Sequence, residues 1–241
     1  MATTITGTTI DVGPNKLVAD SAGNVGVGTA SPTLPLDIVS NASADALKLR
    51  ARSGNDYATM TFSSNDGATK WADIQSNVAK DLRFYTNGSS ETMRIDSAGI
   101  VTKPYQPAFL AQPATTILNI PTGASGNLNF DAERFDTNSD YSSGTFTAPV
   151  TGKYFLTVNF YFINLDSAAS YYEGLLTTSN RTYYTIVDPD FGQDNVYFCL
   201  VLTVLADMDA GDTANISVHQ GGGSSQTDIS ASATFSGYLV A

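Results

Sequence analysis

Apolar and polar residues alternate with period two through much of the second half of the chain. In residues 153–165 (KYFLTVNFYFINL), Tyr154, Leu156, Val158, Phe160 and Phe162 share one face, while Phe155, Thr157, Asn159, Tyr161 and Ile163 share the other. Period two predicts a β-strand, and a wholly apolar face predicts packing against a second sheet. The opposite face is half apolar, which suits partial burial at a subunit contact. Similar runs predict strands in NLNFDAERF, SSGTFTAP, YYEGLLTTS, RTYYTIV, NVYFCLVLTVLA, TANISVHQ and ATFSGYLVA. Turn sequences such as NSDYSSG, PVTG, DPDFGQDN and DMDAGD join them. A count of eight or more such strands favours a β-sandwich.

The front of the chain reads differently. Short alternating runs, ATMTFSS, KWADIQS and DLRFYTN, are separated by the turn signals SNDG, SNVAK and TNGSS, which predicts β-hairpins. NKLVADSAGNVGVG (residues 15–28) and ETMRIDSAGIVTKP (residues 91–104) share the pattern apolar-x-x-D-S-A-G-x-V at an offset of 76 residues. Each copy predicts strand, Asp/Gly turn, strand. Residues 44–52 (ADALKLRAR) tolerate a helix, but Leu47 and Leu49 stand two apart and favour a strand.

Charge and aromatics divide the 241-residue chain in two. Residues 1–104 hold nine Lys/Arg and ten Asp/Glu, and residues 105–241 hold three and thirteen. Five of the aromatics, Tyr57, Phe62, Trp71, Phe84 and Tyr85, lie in the first part and twenty in the second. The change falls near Pro104 and Pro107, so the expected organisation is an attachment and strand-exchange segment (1–40), a β-hairpin stalk module (41–104) and a sandwich head (105–241). About 100 residues with so few aromatics cannot easily offset their conformational entropy within one chain. The expected solution is a homotrimer in which Val25, Val27, Leu36, Ile38, Leu47, Leu49, Leu82, Phe84 and Ile95 meet their equivalents around an axis; the alternative is a small monomeric β-sandwich.

Composition narrows the function. A net charge of -11 lacks the basic footprint that nucleic acid requires, and no apolar run reaches the roughly 20 residues of a membrane span. One Cys and one His exclude an internal disulfide and a zinc module. His219 has no assignable Ser or Asp partner and reads as a strand or interface histidine. Cys199, inside VYFCLVLTVL, reads as a small buried hydrophobe. Acidic groups occur at Asp188, Asp190 and Asp194 and at Asp207, Asp209 and Asp212. Carboxylates this close can serve glycoside hydrolysis or hold a hard cation, and Asp207, Asp209 and Asp212 are the candidate calcium ligands, expected at the apex of a trimer. Gly26 to Gly28 form no dinucleotide fingerprint, and GGGSSQ (residues 221–226) reads as a flexible loop, with contact to a ligand as the alternative. Sugar sites need aromatic platforms beside hydrogen-bonding groups. The receptor-binding candidates are therefore Tyr171, Tyr172, Tyr183, Tyr184, Asp190, Phe191, Gln193 and Asn195, each of which could instead fill a trimer interface.

The residues Phe130, Asp136, Tyr141, Phe146, Gly152 and Tyr154 carry a resemblance. They follow the signature of the globular head of complement component one subcomponent q, one of the tumour-necrosis-factor-like jelly rolls. The gap between Tyr141 and Phe146 is shorter than usual, and Leu156 and Val158 replace aromatic positions while keeping the inward face apolar. The resemblance covers residues 105–241 and implies an all-β jelly roll in a tight homotrimer, with the last strand near the axis.

The front resembles another group. GNVGVGTASPTLPLDI, followed by LRFYTNGSSETMRIDSAGIV, is similar to segments of bacteriophage tail fibres and other virion proteins that form trimeric β-rich shafts. Together the two resemblances imply a nonenzymatic, virion-borne tail fibre assembled in the bacterial cytoplasm. Residues 1–13 would join tail or baseplate proteins, and the head would touch a host glycan or outer-membrane component. The alternatives are a purely structural baseplate or decoration protein and a polysaccharide depolymerase, although the long β-helix repeats of depolymerising tailspikes are missing.

Overall fold

The computed structural model describes residues 17–29, 31–40, 45–51, 53–54 and 56–241. All regular structure among them is β. The chain forms two compact units, Met1–Thr102 and Lys103–Ala241. The expected attachment segment, residues 1–13, lies outside the described residues.

In the first unit β1 (Leu17–Ala19) pairs antiparallel with β2 (Val25–Val27), which pairs parallel with β3 (Leu36–Ile38). A second sheet is an antiparallel meander of β4 (Ala58–Ser63), β5 (Lys70–Ser76), β6 (Leu82–Thr86), β7 (Ser90–Ile95) and β8 (Val101–Thr102), in that order. Both copies of the repeat fold alike. Asp20 Oδ1 accepts the N–H groups of Ala22 and Asn24, as Asp96 Oδ1 accepts those of Ala98 and Ile100. Gly23 and Gly99 then take φ of 87° and 84°, a left-handed turn that glycine enters without penalty. Residues 45–51, expected as part of a strand, form none. Leu47 and Leu49 are exposed, so no packing partner draws their alternation into a ladder.

The meander is amphipathic. Met60, Ile74, Phe84 and Met93 form one cross-strand row, and Thr59, Gln75, Arg83 and Arg94 form the next on the other face. Arg83 binds Asp81 at 2.7 Å and Arg94 binds Glu91 at 2.8 Å, which makes the polar face a charge network. Among the described residues of this unit no large apolar side chain is buried.

The second unit is a two-sheet sandwich of β9 (Ala108–Gln112), β10 (Gly123–Asn127), β11 (Ala132–Asp136), β12 (Tyr141–Ser142), β13 (Thr145–Thr147), β14 (Gly152–Leu165), β15 (Tyr171–Thr178), β16 (Thr182–Val187), β17 (Asn195–Met208), β18 (Thr213–Gly221), β19 (Asp228–Ile229) and β20 (Thr234–Leu239). One sheet runs β11-β9-β20-β14-β17, with β19 also on β14; the other runs β12-β13-β18-β15-β16, with β10 also on β18. Between them lies the core. Tyr154, Leu156, Val158, Phe160 and Phe162 are all fully buried, as the alternation predicts. Phe109 stacks on Tyr141 at 4.9 Å and on Phe146 at 4.8 Å and meets Phe235 edge-on at 5.0 Å. The signature residues close this core. Tyr141 Oη donates to Phe130 O, Tyr154 Oη donates to Val150 O, and the Asp136 carboxylate accepts the N–H groups of Asp140 and Tyr141.

Candidate functional site

The two ends of the sandwich differ in what they carry. The chain joins it at the end where Pro107 O accepts Leu239 N and Lys153 N donates to Ala241 O. Since β14 runs from Gly152 there to Leu165, the opposite end is built from residues 166–170, 188–194 and 222–227. This far end is tied together by two aspartates. Asp166, only 5% exposed, accepts Ala168 N and, from Ser224, both N and Oγ. Asp194 accepts Ser167 N and Oγ at 2.9 and 2.8 Å and Gln226 Nε2 at 2.8 Å. Hydrogen bonds that favour the charged form lower a carboxyl pKa. The Ser224 N–H, with that of Ala168, holds Asp166 below the usual carboxylate range, and the Ser167 N–H, with the Gln226 amide, does so for Asp194. Beneath them Tyr172 Oη and Thr227 Oγ1 lie 2.6 Å apart, both buried. GGGSSQ, expected to be a flexible loop, is therefore anchored at Ser224 and Gln226, because the charged acceptors on neighbouring loops capture its donors.

At this end a cavity of about 270 Å³ is lined by Asn164, Asp194, Asn195, Val196 and Gln226. Asn164 holds φ at 54°, a conformation asparagine tolerates better than most residues. Of the receptor-binding candidates, Asn195 lines the cavity, and Asp190, Phe191 and Gln193 belong to the adjoining 188–194 loop, where the Phe191 ring packs 5.6 Å from Phe198. The four tyrosines separate by strand parity. Tyr172 is buried in the core and Tyr183 packs against it, whereas Tyr171 and Tyr184 face outward, Tyr184 being 65% exposed. Tyr171 lies edge-on to His219, whose Nδ1 is 3.8 Å from Glu173 Oε2.

Asp207, Asp209 and Asp212 sit at the end where the chain joins. Asp207 Oδ2 binds Arg181 Nη2 at 2.8 Å, and Asp212 Oδ2 accepts Asn180 Nδ2 and Asp209 N. Among the described residues no three or more His, Cys, Asp or Glu side chains are grouped to hold a metal ion. Cys199 corrects an expectation: it is exposed. Its register opposite Tyr161 places it on the outward face of β17 with Val201 and Leu205, while Leu202 and Ala206 take the inward face.

The sequence profile of the C1q domain family matches residues 108–240, more than half of the chain. The chain belongs to the C1q domain family. Two solved structures are similar to the C1q unit. The globular domain of zebrafish complement 1qA is 17% identical, covering 56% of this chain and 98% of its own, with a TM-score of 0.42. Murine APRIL is 9% identical over 56% of this chain and 99% of its own, also with a TM-score of 0.42. No curated protein matches.

Another feature of the C1q unit is its outward β14/β17 face. Phe155, Tyr161 and Ile163 of β14 stand opposite Leu205, Cys199 and Tyr197 of β17. Tyr197, Val201 and Leu205 are 66%, 56% and 59% exposed. On β20, Tyr238 pairs with Phe155 and extends the patch, the two rings 5.4 Å apart. Sequence reasoning anticipated the β14 half of this face and named the loop that carries Gln226, but missed Asn164 and Asp166 at the far end. The local signal for those two is a polar interruption, Asn-Leu-Asp-Ser, after the long alternating run.

Proposed function

We propose that this chain is a bacteriophage tail-fibre subunit, a homotrimer whose front unit forms a β-rich shaft and whose C1q unit is the receptor-binding head. One observation carries the reading: apolar surface is left uncovered in both units. The described first unit buries no large apolar side chain, and Leu36, Leu47, Leu49 and Leu82, expected around the shaft axis, are exposed. In the head, the outward β14/β17 face, apolar between its ends except for Thr157, Asn159 and Thr203, ends in a 14-residue edge strand, β17, with no charged residue before Asp207. A long apolar edge of this kind needs a cover. C1q domains commonly form trimers, and a second and third copy supply that cover.

Attachment then works by multivalency, three contacts per fibre raising avidity by about 10² to 10⁴ over one site. The shaft would join the virion through residues 1–13, and the ligand is a host glycan or outer-membrane component. The test is to add the purified full chain to host cells. Saturable binding that blocks phage adsorption is expected; a protein that assembles on particles without binding cells would make it a structural component instead.

A further inference from the structure

The far-end cavity combines features that suit a hydroxyl-rich ligand. Among the described residues the side-chain amides of Asn164 and Asn195 have no hydrogen-bond partner, so each offers a donor pair and an acceptor to the cavity. Gln226 Nε2 donates to Asp194, which also accepts Ser167 N and Oγ, and this lowers the ordering cost when a ligand arrives. Val196, 58% exposed, adds an apolar surface for the C–H face of a ring. About 270 Å³ lies just under the ~300 Å³ at which pockets for drug-sized molecules begin, which is room for a single ring. The one charged lining residue is Asp194, its pKa lowered by its partners, with no Lys or Arg beside it. An anionic sugar is therefore repelled.

We infer that this cavity binds one neutral pyranose unit, such as the exposed end of a surface glycan, through Asn164, Asn195, Gln226 and Asp194. The inference rests on the adhesin reading and names its ligand class. It also places the site at the end of the head opposite the one where the chain joins. Three copies would present three such sites.

The test is saturation-transfer NMR on the full-length protein with the methyl glycosides of glucose, galactose, mannose and N-acetylglucosamine at millimolar concentration, and a sialoside as the anionic control. At least one neutral glycoside is expected to bind, and the sialoside is not. Asn195→Ala removes one amide; Asn164→Gly removes the other while glycine keeps the positive φ without strain. Either variant should weaken binding at least tenfold with unchanged thermal unfolding. No binding of any neutral glycoside, equal binding of the sialoside, or unchanged affinity in both folded variants overturns the inference. Cell binding separates the two readings: wild-type protein that binds host cells while both variants bind equally well removes the cavity and leaves the adhesin, whereas wild-type protein that binds no host cells removes the adhesin reading.

Discussion

A methyl group added at Gly174 would lie 2.4 Å from the Phe160 ring, closer than any van der Waals contact permits. Gly174→Ala should therefore destabilise the head by about 1–3 kcal/mol through overpacking, read as a lower denaturation midpoint. An unchanged midpoint would mean that Phe160 can move aside and that the core is looser than its burial indicates. Asp166 makes a pH-dependent prediction. Its folded pKa lies below the ordinary 3.8, so its contribution is fully present above that value and is lost as pH falls through the folded pKa. Asp166→Asn should cost about 1–3 kcal/mol near neutrality, with a gap to wild type that narrows on acidification below about pH 4. Urea titrations of both proteins across that range measure it, and a gap independent of pH would contradict the assignment.

Strand β17 carries the association proposed for the head, and its two faces show what a sequence can and cannot reveal. Val201→Asp places a charge at the centre of the outward face, where a lone chain leaves the residue exposed. It should convert the oligomer to monomers while the circular dichroism of the sandwich is retained; an intact oligomer would locate the contact elsewhere. The alternation of β14 identified its buried row correctly because one face is wholly apolar. In VYFCLVLTVLA one face is wholly apolar and the other is broken only by Thr203, a weak parity signal, and the register against β14 puts Cys199 outside with it. The far-end network was hidden for a different reason. Its hydrogen bonds join residues 27, 32 and 58 positions apart, and no local pattern announces partners brought together by strand pairing. The repeated Asp/Gly turns were legible because every hydrogen bond in them is local. Residues 45–51 misled because alternation describes a strand only where something covers one face.

At the scale of the whole chain, nine of the twenty aromatics of the second part are buried in its core, and none of the five of the first part is buried. The C1q head closes on a core of its own, whereas the described front unit buries no large apolar side chain. Deleting residues 1–13 should leave soluble trimers that fail to enter virions, measured by the protein content of purified particles; normal incorporation would place the attachment elsewhere. The most direct test of the central claim is sedimentation equilibrium of the full-length chain at micromolar concentration. The account predicts a single species at three times the 25.4 kDa of one chain. A folded species at 25.4 kDa would contradict it.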